Sequence, residues 1–201
     1  MTLQVGIYIY DEVEVLDFAG PFEVFSTASR VFARSNPEEP EPFVVGLIAQ
    51  AQGGVNARAG FRVQPRHTIE DHPPIDILIV PGGVHRGEME KPEVIAWIGR
   101  QHDLVTLTAS VCTGAFLLAR AGVLSDQEVT THWEDIAELQ RIFPKLRVRD
   151  GVRWIEHEQV ATSAGISAGI DMSLRLVARF AGQPLAERTA RQMDYEWRKQ
   201  E

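Results

Sequence analysis

Cys112 is the only cysteine in the chain, and its surroundings suggest a nucleophile. Ser110-Val111-Cys112-Thr113-Gly114 follows the apolar run 104–109 and leads into the apolar segment 114–121. A buried strand that turns sharply into a helix forms a nucleophile elbow. Such a turn strains its central residue, and a glycine two positions on lets the backbone pass closely. A sulfur held there would face a helix N-terminus, whose partial positive charge favours thiolate over thiol. The plainer alternative is a small buried side chain, a common fate of free cysteine.

Asp17 is the second candidate. It follows the first predicted strand, so its carboxylate belongs at the same sheet edge as the elbow. The apolar stretch Phe18-Ala19-Gly20-Pro21 beside it favours burial and a raised carboxyl pKa; a helix N-cap is the alternative. A protonated acid next to a thiolate can deliver a proton to a substrate. Glu23 is a rival acid, expected on the helix surface or in contact with its own first turn.

Gly82-Gly83 ends the apolar run 75–80. Their N–H groups, with that of Thr113, could stabilise negative charge on an intermediate, although a tight turn alone would need the same glycines. Thr113 is also expected to orient the bound group. His132 closes Val129-Thr130-Thr131-His132 at another strand end. Phe18 and Val84 are expected to line an apolar pocket, with His85 at its rim. His67 and His72 flank Glu70 and Asp71 at a spacing that fits no standard metal site. Walker-A and GxGxxG patterns are absent, so neither a metal nor an organic cofactor is expected.

The elements that must position these groups alternate. Strands are predicted at 3–10, 43–49, 61–63, 75–80, 104–109, 146–148 and 160–163, with a strand end at 129–131. Gly53, Gly54 and Gly60 suggest a hairpin before the third of these. Helices are predicted from Gly20-Pro21 to about 33 or 34, at 92–101 and at 114–121. Another runs from a Thr131–Glu134 capping box through Ile142, and one passes through Ile166, Ile170, Leu174 and Val177. The last starts at about Pro184. Apolar strands alternating with helices imply an α/β fold, a three-layer sandwich with a mostly parallel central sheet, formed by one domain over 1–201. Working groups then collect beyond the carboxyl ends of the strands.

Composition fits a soluble globular domain, with 44% hydrophobic and 24% charged residues. A net charge of -8 leaves no surplus of cations for phosphates or anionic lipid, so neither nucleic acid nor membrane is an expected partner. A lone cysteine, no signal-peptide pattern and no apolar run near the roughly 20 residues of a membrane span point to the cytoplasm.

Together these motifs resemble the ThiJ/PfpI superfamily, whose fold is flavodoxin-like and class-I-glutaminase-like. The resemblance spans nearly the whole chain. It rests on Asp17 with Gly20-Pro21, Val80-Pro81-Gly82-Gly83, the Cys112 elbow, Val129-Thr130-Thr131-His132 and Thr162-Ser163-Ala164-Gly165. It implies a reactive Cys112, backbone donors at Gly83 and Thr113, and His132 at the pocket edge. Protease-like members carry histidine directly after the cysteine; Thr113 stands there instead, which argues against a Cys-His dyad and peptidase activity. The Asp17, Gly20-Pro21, Glu23 and Cys112-Thr113-Gly114 combination looks most like isonitrile hydratases. It also looks like the amino-terminal sensory domain of AraC-type regulators, whose helix-turn-helix region finds no room before Glu201.

The resemblance implies cofactor-free hydration of an isonitrile to an N-substituted formamide, with Cys112 as nucleophile and Asp17 as acid and base. It also allows glyoxalase- or deglycase-like activity on α-oxoaldehydes, or a non-catalytic redox or ligand sensor. A small-molecule substrate and a homodimer formed through the face near the first helix complete the expectation.

Overall fold

Every residue of Ile77–Val80 and of Leu107–Val111 is buried, so both faces of these strands must be covered, as in a parallel sheet sandwiched by helices. The computed structural model describes residues 1–199 and meets that requirement. In chain order its elements are β1 (Leu3–Tyr8), α1 (Val15–Ser35), β2 (Phe43–Ala49), β3 (Val55–Asn56), β4 (Arg62–Val63), β5 (His67–Thr68) and β6 (Ile77–Val80). Next come α2 (Arg86–Met89), α3 (Pro92–His102), β7 (Leu107–Val111), α4 (Gly114–Arg120), β8 (Glu128–Val129) and α5 (Ile136–Ile142). The chain finishes with β9 (Arg147–Val148), β10 (Trp154–Glu156), β11 (Val160–Ser163), α6 (Ala168–Ala181) and α7 (Gln183–Gln192).

The central sheet has seven strands in the order β10-β11-β7-β6-β1-β2-β5. All its pairings are parallel except β10 with β11. α1, α6 and α7 pack together on one side of it, and α2, α3 and α4 on the other. Trp97, Tyr8, Phe25 and Phe116 are among the largest fully buried side chains between the layers.

Several boundaries depart from the sequence expectation. α1 starts at Val15 instead of at Gly20-Pro21, so Asp17 lies in its first turn and Pro21 inside it. Val15, Phe18, Phe22 and Phe25 recur at helical spacing across the proline, and their packing against the core outweighs the hydrogen bond that Pro21 cannot donate. β7 is shifted C-terminally from 104–109, because Leu104 is 76% exposed and pairing with β6 sets Ile77 opposite Leu107.

The edge strands β5 and β10 were not anticipated; with two and three residues they are too short to show alternation. β8 stands outside the central sheet, paired with β9. The Thr131–Glu134 capping box does not form, since the Thr131 hydroxyl donates to the Cys112 carbonyl at 2.8 Å. A 3-10 turn, Trp133–Asp135, precedes α5 instead. Among the described residues no helix is long and apolar enough to cross a membrane.

Candidate active site

The carboxyl ends of β1, β6, β7 and β11 lie side by side in the sheet, and each is followed by a segment that reaches the site. The segments after β1 and β6 are stitched together. Val13 and Gly83 form an isolated antiparallel bridge, Glu14 N–H donates to the Gly82 carbonyl at 2.9 Å, and Val84 N–H donates to that of Glu12 at 3.1 Å. Gly83 has a φ of 141°, and a Cβ there would run into the backbone of Glu12 and Val13. This stitch sets the first turn of α1 against Gly82, whose N–H donates to Asp17 Oδ2 at 3.0 Å. Asp17 is fully buried, and its Oδ1 lacks a hydrogen-bond partner of full geometry.

Cys112 occupies the bend after β7 with a φ of 55°, in the left-handed region that residues with a Cβ seldom enter. Its neighbours hold it there. Cys112 N–H donates to the Ser163 carbonyl at 3.2 Å, and its own carbonyl takes the Thr131 hydroxyl. Gly114 permits a close pass, because a Cβ would meet the Val80 carbonyl. Thr113 Oγ1 accepts the Gly83 N–H at 3.0 Å and donates to the Gly83 carbonyl at 3.1 Å.

Those bonds correct one expectation. The N–H groups of Gly82 and Gly83 are already committed, to the Asp17 carboxyl and the Thr113 hydroxyl, and do not form an open donor set for an intermediate. The Thr113 hydroxyl is likewise committed to Gly83. Only the Thr113 N–H is directed at the sulfur, where it eases ionisation.

The electrostatics correct another. Burial, more than any other influence, raises the Asp17 carboxyl to about 7; the Gly82 N–H opposes this, Glu14 adds to it, and the Cys112 thiol and Ile166 N–H oppose it. Burial also pushes the Cys112 thiol well up, reinforced first by the charge of Asp17. Above about pH 7 the pair therefore holds one proton, carried on sulfur. The sequence suggested an ionised thiol at a helix N-terminus, whereas burial and the neighbouring carboxylate both favour the protonated sulfur.

The sulfur opens onto a cleft of about 250 Å³, where Gly83, Thr113, His132 and Ile166 join it in the wall. Asp17 is not part of that wall; it sits behind the thiol. Ile166, with a φ of 53°, brings the turn after β11 into the site. Glu14, Arg58, Glu134 and Asp135 complete the lining and make it polar.

The expected apolar pocket is absent from this position. Val84 is 50% exposed and lies outside the cleft, while Phe18 is buried in the core. His85 packs on Phe116, ring centroids 4.3 Å apart, and lines a different cleft with Arg86, Arg120 and Glu138. Glu23 lies on the helix surface, where it accepts from Thr27 and Arg30. Glu14 and Arg58 stand in irregular segments with no motif of their own, while Ile166, expected in the penultimate helix, lies in the turn before it because α6 starts only at Ala168. Glu134 and Asp135 follow His132 so closely that the strand-end position of the histidine was the available signal.

Residues 3–179 match the DJ-1/PfpI family. The chain is 31% identical over 196 residues to an isonitrile hydratase of Pseudomonas putida, covering 97% of this chain and 79% of that protein. It is 27% identical over 192 residues to the HTH-type transcriptional regulator GbdR of Pseudomonas aeruginosa, covering 96% of this chain but only 50% of the regulator. Among solved structures, a ThiJ/PfpI family protein from Pseudomonas syringae superposes with a TM-score of 0.85 at 23% identity, over 99% of this chain and 77% of that one. Drosophila melanogaster DJ-1beta superposes with a TM-score of 0.81 at 17% identity, over 98% and 100%.

Proposed function

The chain belongs to the DJ-1/PfpI family, and from that premise we propose that it hydrates a small isonitrile to the N-substituted formamide. The observation that carries the reading is the buried Asp17 carboxyl set against the Cys112 thiol. Addition to an isonitrile places two new bonds, C–S and C–H, on one carbon. Nucleophile and acid must then stand side by side, as this thiol and carboxylate do.

In the first step the Cys112 sulfur attacks the terminal carbon while the thiol proton passes, through Asp17, to the same carbon. The product is a thioimidate, R–N=CH–S–Cys112, and Asp17 is again a carboxylate. Water then adds to that carbon with Asp17 as base, and a proton goes to nitrogen. Collapse breaks the C–S bond, returns a proton to sulfur and releases R–NH–CHO. Every proton is accounted for without a cofactor. His132 and the Thr113 N–H border the reacting atoms, and the Thr113 hydroxyl keeps Gly83 and the elbow in register.

Glyoxalase chemistry would instead need the same carboxylate to move a proton between two adjacent carbons of the bound molecule, and methylglyoxal consumption with lactate formation tests that alternative. A sensor reading has one observation in its favour: the chain aligns over 96% of its length with half of a transcriptional regulator. Under it the cleft binds a small molecule without turnover. Pairing of two copies through the face at α1, where Leu16 is 37% exposed, belongs to the proposal as well. Sedimentation should give twice the 22.4 kDa chain mass, and a monomer removes that part.

The deciding experiment mixes purified protein with a simple alkyl isonitrile and follows formamide by NMR. Formation that is lost in Cys112→Ala and in Asp17→Ala supports the scheme. Turnover surviving in Cys112→Ala ends the covalent route, and saturable binding without product favours the sensor.

A further inference from the structure

The wall of the Cys112 cleft carries three carboxylates and one guanidinium. Glu14 comes from the segment between β1 and α1, and Glu134 and Asp135 from the 3-10 turn after β8. Arg58 comes from the turn between β3 and β4. His132 Nδ1 lies 3.6 Å from Glu134 Oε2 and 3.5 Å from Asp135 Oδ2. The mouth is therefore anionic whichever form His132 takes, on a chain whose net charge is already -8. Behind the thiol, off the cleft wall, Asp17 Oδ1 is buried without a hydrogen-bond partner. The cleft itself has room for about eight waters at ~30 Å³ each, enough for a reactive group with a short substituent.

We infer that this cleft selects small electrophiles whose far end is cationic, and that its isonitrile substrates carry an ammonium group in preference to a carboxylate. The second half rests on the hydration reaction proposed above; the first does not. The reactive atoms feel the acids directly. Asp135 helps hold the Cys112 thiol up and Glu14 does the same for Asp17, so a carboxylate brought into the cleft adds to existing repulsion. An ammonium group instead meets the carboxylates of Glu134 and Asp135, which line the same cleft as the sulfur. Clefts walled by protein concentrate such fields and favour ligands of opposite sign.

The test reads Cys112 alkylation by intact mass, using 2-bromoethylammonium, iodoacetamide and iodoacetate. In each case an S–C bond forms, halide leaves and the thiol proton is released. Each rate is divided by that of the same reagent with mercaptoethanol, which removes intrinsic reactivity. The expected order is cation, neutral, anion, with about a tenfold span between the extremes at low salt. That span should collapse in Glu134→Gln/Asp135→Asn; Glu134 is 63% exposed, which keeps this part of the change out of the core. Equal corrected rates, a preference for iodoacetate, or a span unchanged in the double variant overturns the inference. If a neutral alkyl isonitrile is not hydrated, the reaction falls while the alkylation ratio still decides the charge preference. If it is hydrated, the ammonium-bearing isonitrile should exceed its carboxylate counterpart about tenfold in kcat/KM.

Discussion

Asp17 and Cys112 share a burial that water would not permit cheaply, and pH should expose it twice. Isonitrile turnover should rise as Asp17 loses its proton near its folded pKa of about 7, because only the one-proton pair can both attack and donate. A pH–rate profile flat from 5 to 8 would count against that state. Stability should move the opposite way. The folded carboxyl holds its proton up to about pH 7, against 3.8 for the ordinary group, so the folded state binds more protons between those values. Stability is then lost as pH rises through this window, by up to on the order of 4 kcal/mol. Asp17→Asn should escape that loss. Urea midpoints at pH 5 and pH 8 test it, and parallel shifts in the two proteins would show that Asp17 is not the cause. Asp17 and Cys112 were both legible in the sequence, each by its place after a strand. The commitments of the Gly82 and Gly83 N–H groups were not, because they depend on which loops meet.

The elbow ties β7 to α4 through a bend that leaves no spare volume. A methyl group on Gly114 meets the carbonyl of Val80, a backbone atom that cannot rotate away. Gly114→Ala should therefore destabilise by about 2–3 kcal/mol or more, read as a fall in urea midpoint, and should slow any reaction at Cys112. A variant as stable as the parent would mean that β6 and α4 can separate. At this scale β2 was read from its apolar run with the bounds it has, Phe43–Ala49. The start of α1 was misplaced, since proline's preference for a first turn is a local rule and packing by Val15 and Phe18 is not. β5 and β10 exist only through their partners β2 and β11, and a few residues carry no pattern by themselves.

The whole molecule gathers residues 17, 82, 112 and 166 from the ends of four strands that are scattered along the chain but adjacent in the sheet. Alternation in the sequence predicted the layered α/β architecture; the strand order needed pairings across long loops. Trp197 and Arg198 are drawn into the same structure. Asp171 is fully buried in α6, paired with Arg153, and its Oδ1 accepts the Arg198 N–H at 3.0 Å while Trp197 Nε1 donates to its carbonyl at 3.2 Å. Truncation after Met193 removes one donor from the buried carboxylate and one from the Asp171 backbone carbonyl. It should lower stability by ~1–3 kcal/mol, visible as a lower Tm, and an unchanged Tm would show that water replaces them without loss.

The carboxyl that stands behind the thiol has an isotopic consequence. Under the proposed reaction the formyl hydrogen comes from neither the isonitrile nor the attacking hydroxyl; the protein supplies it from a site that exchanges with solvent. Turnover in heavy water should place one deuterium on the formyl carbon and none in the carbon skeleton of the side group, and a formyl position that stays protiated would deny Asp17 and Cys112 their part in making that bond.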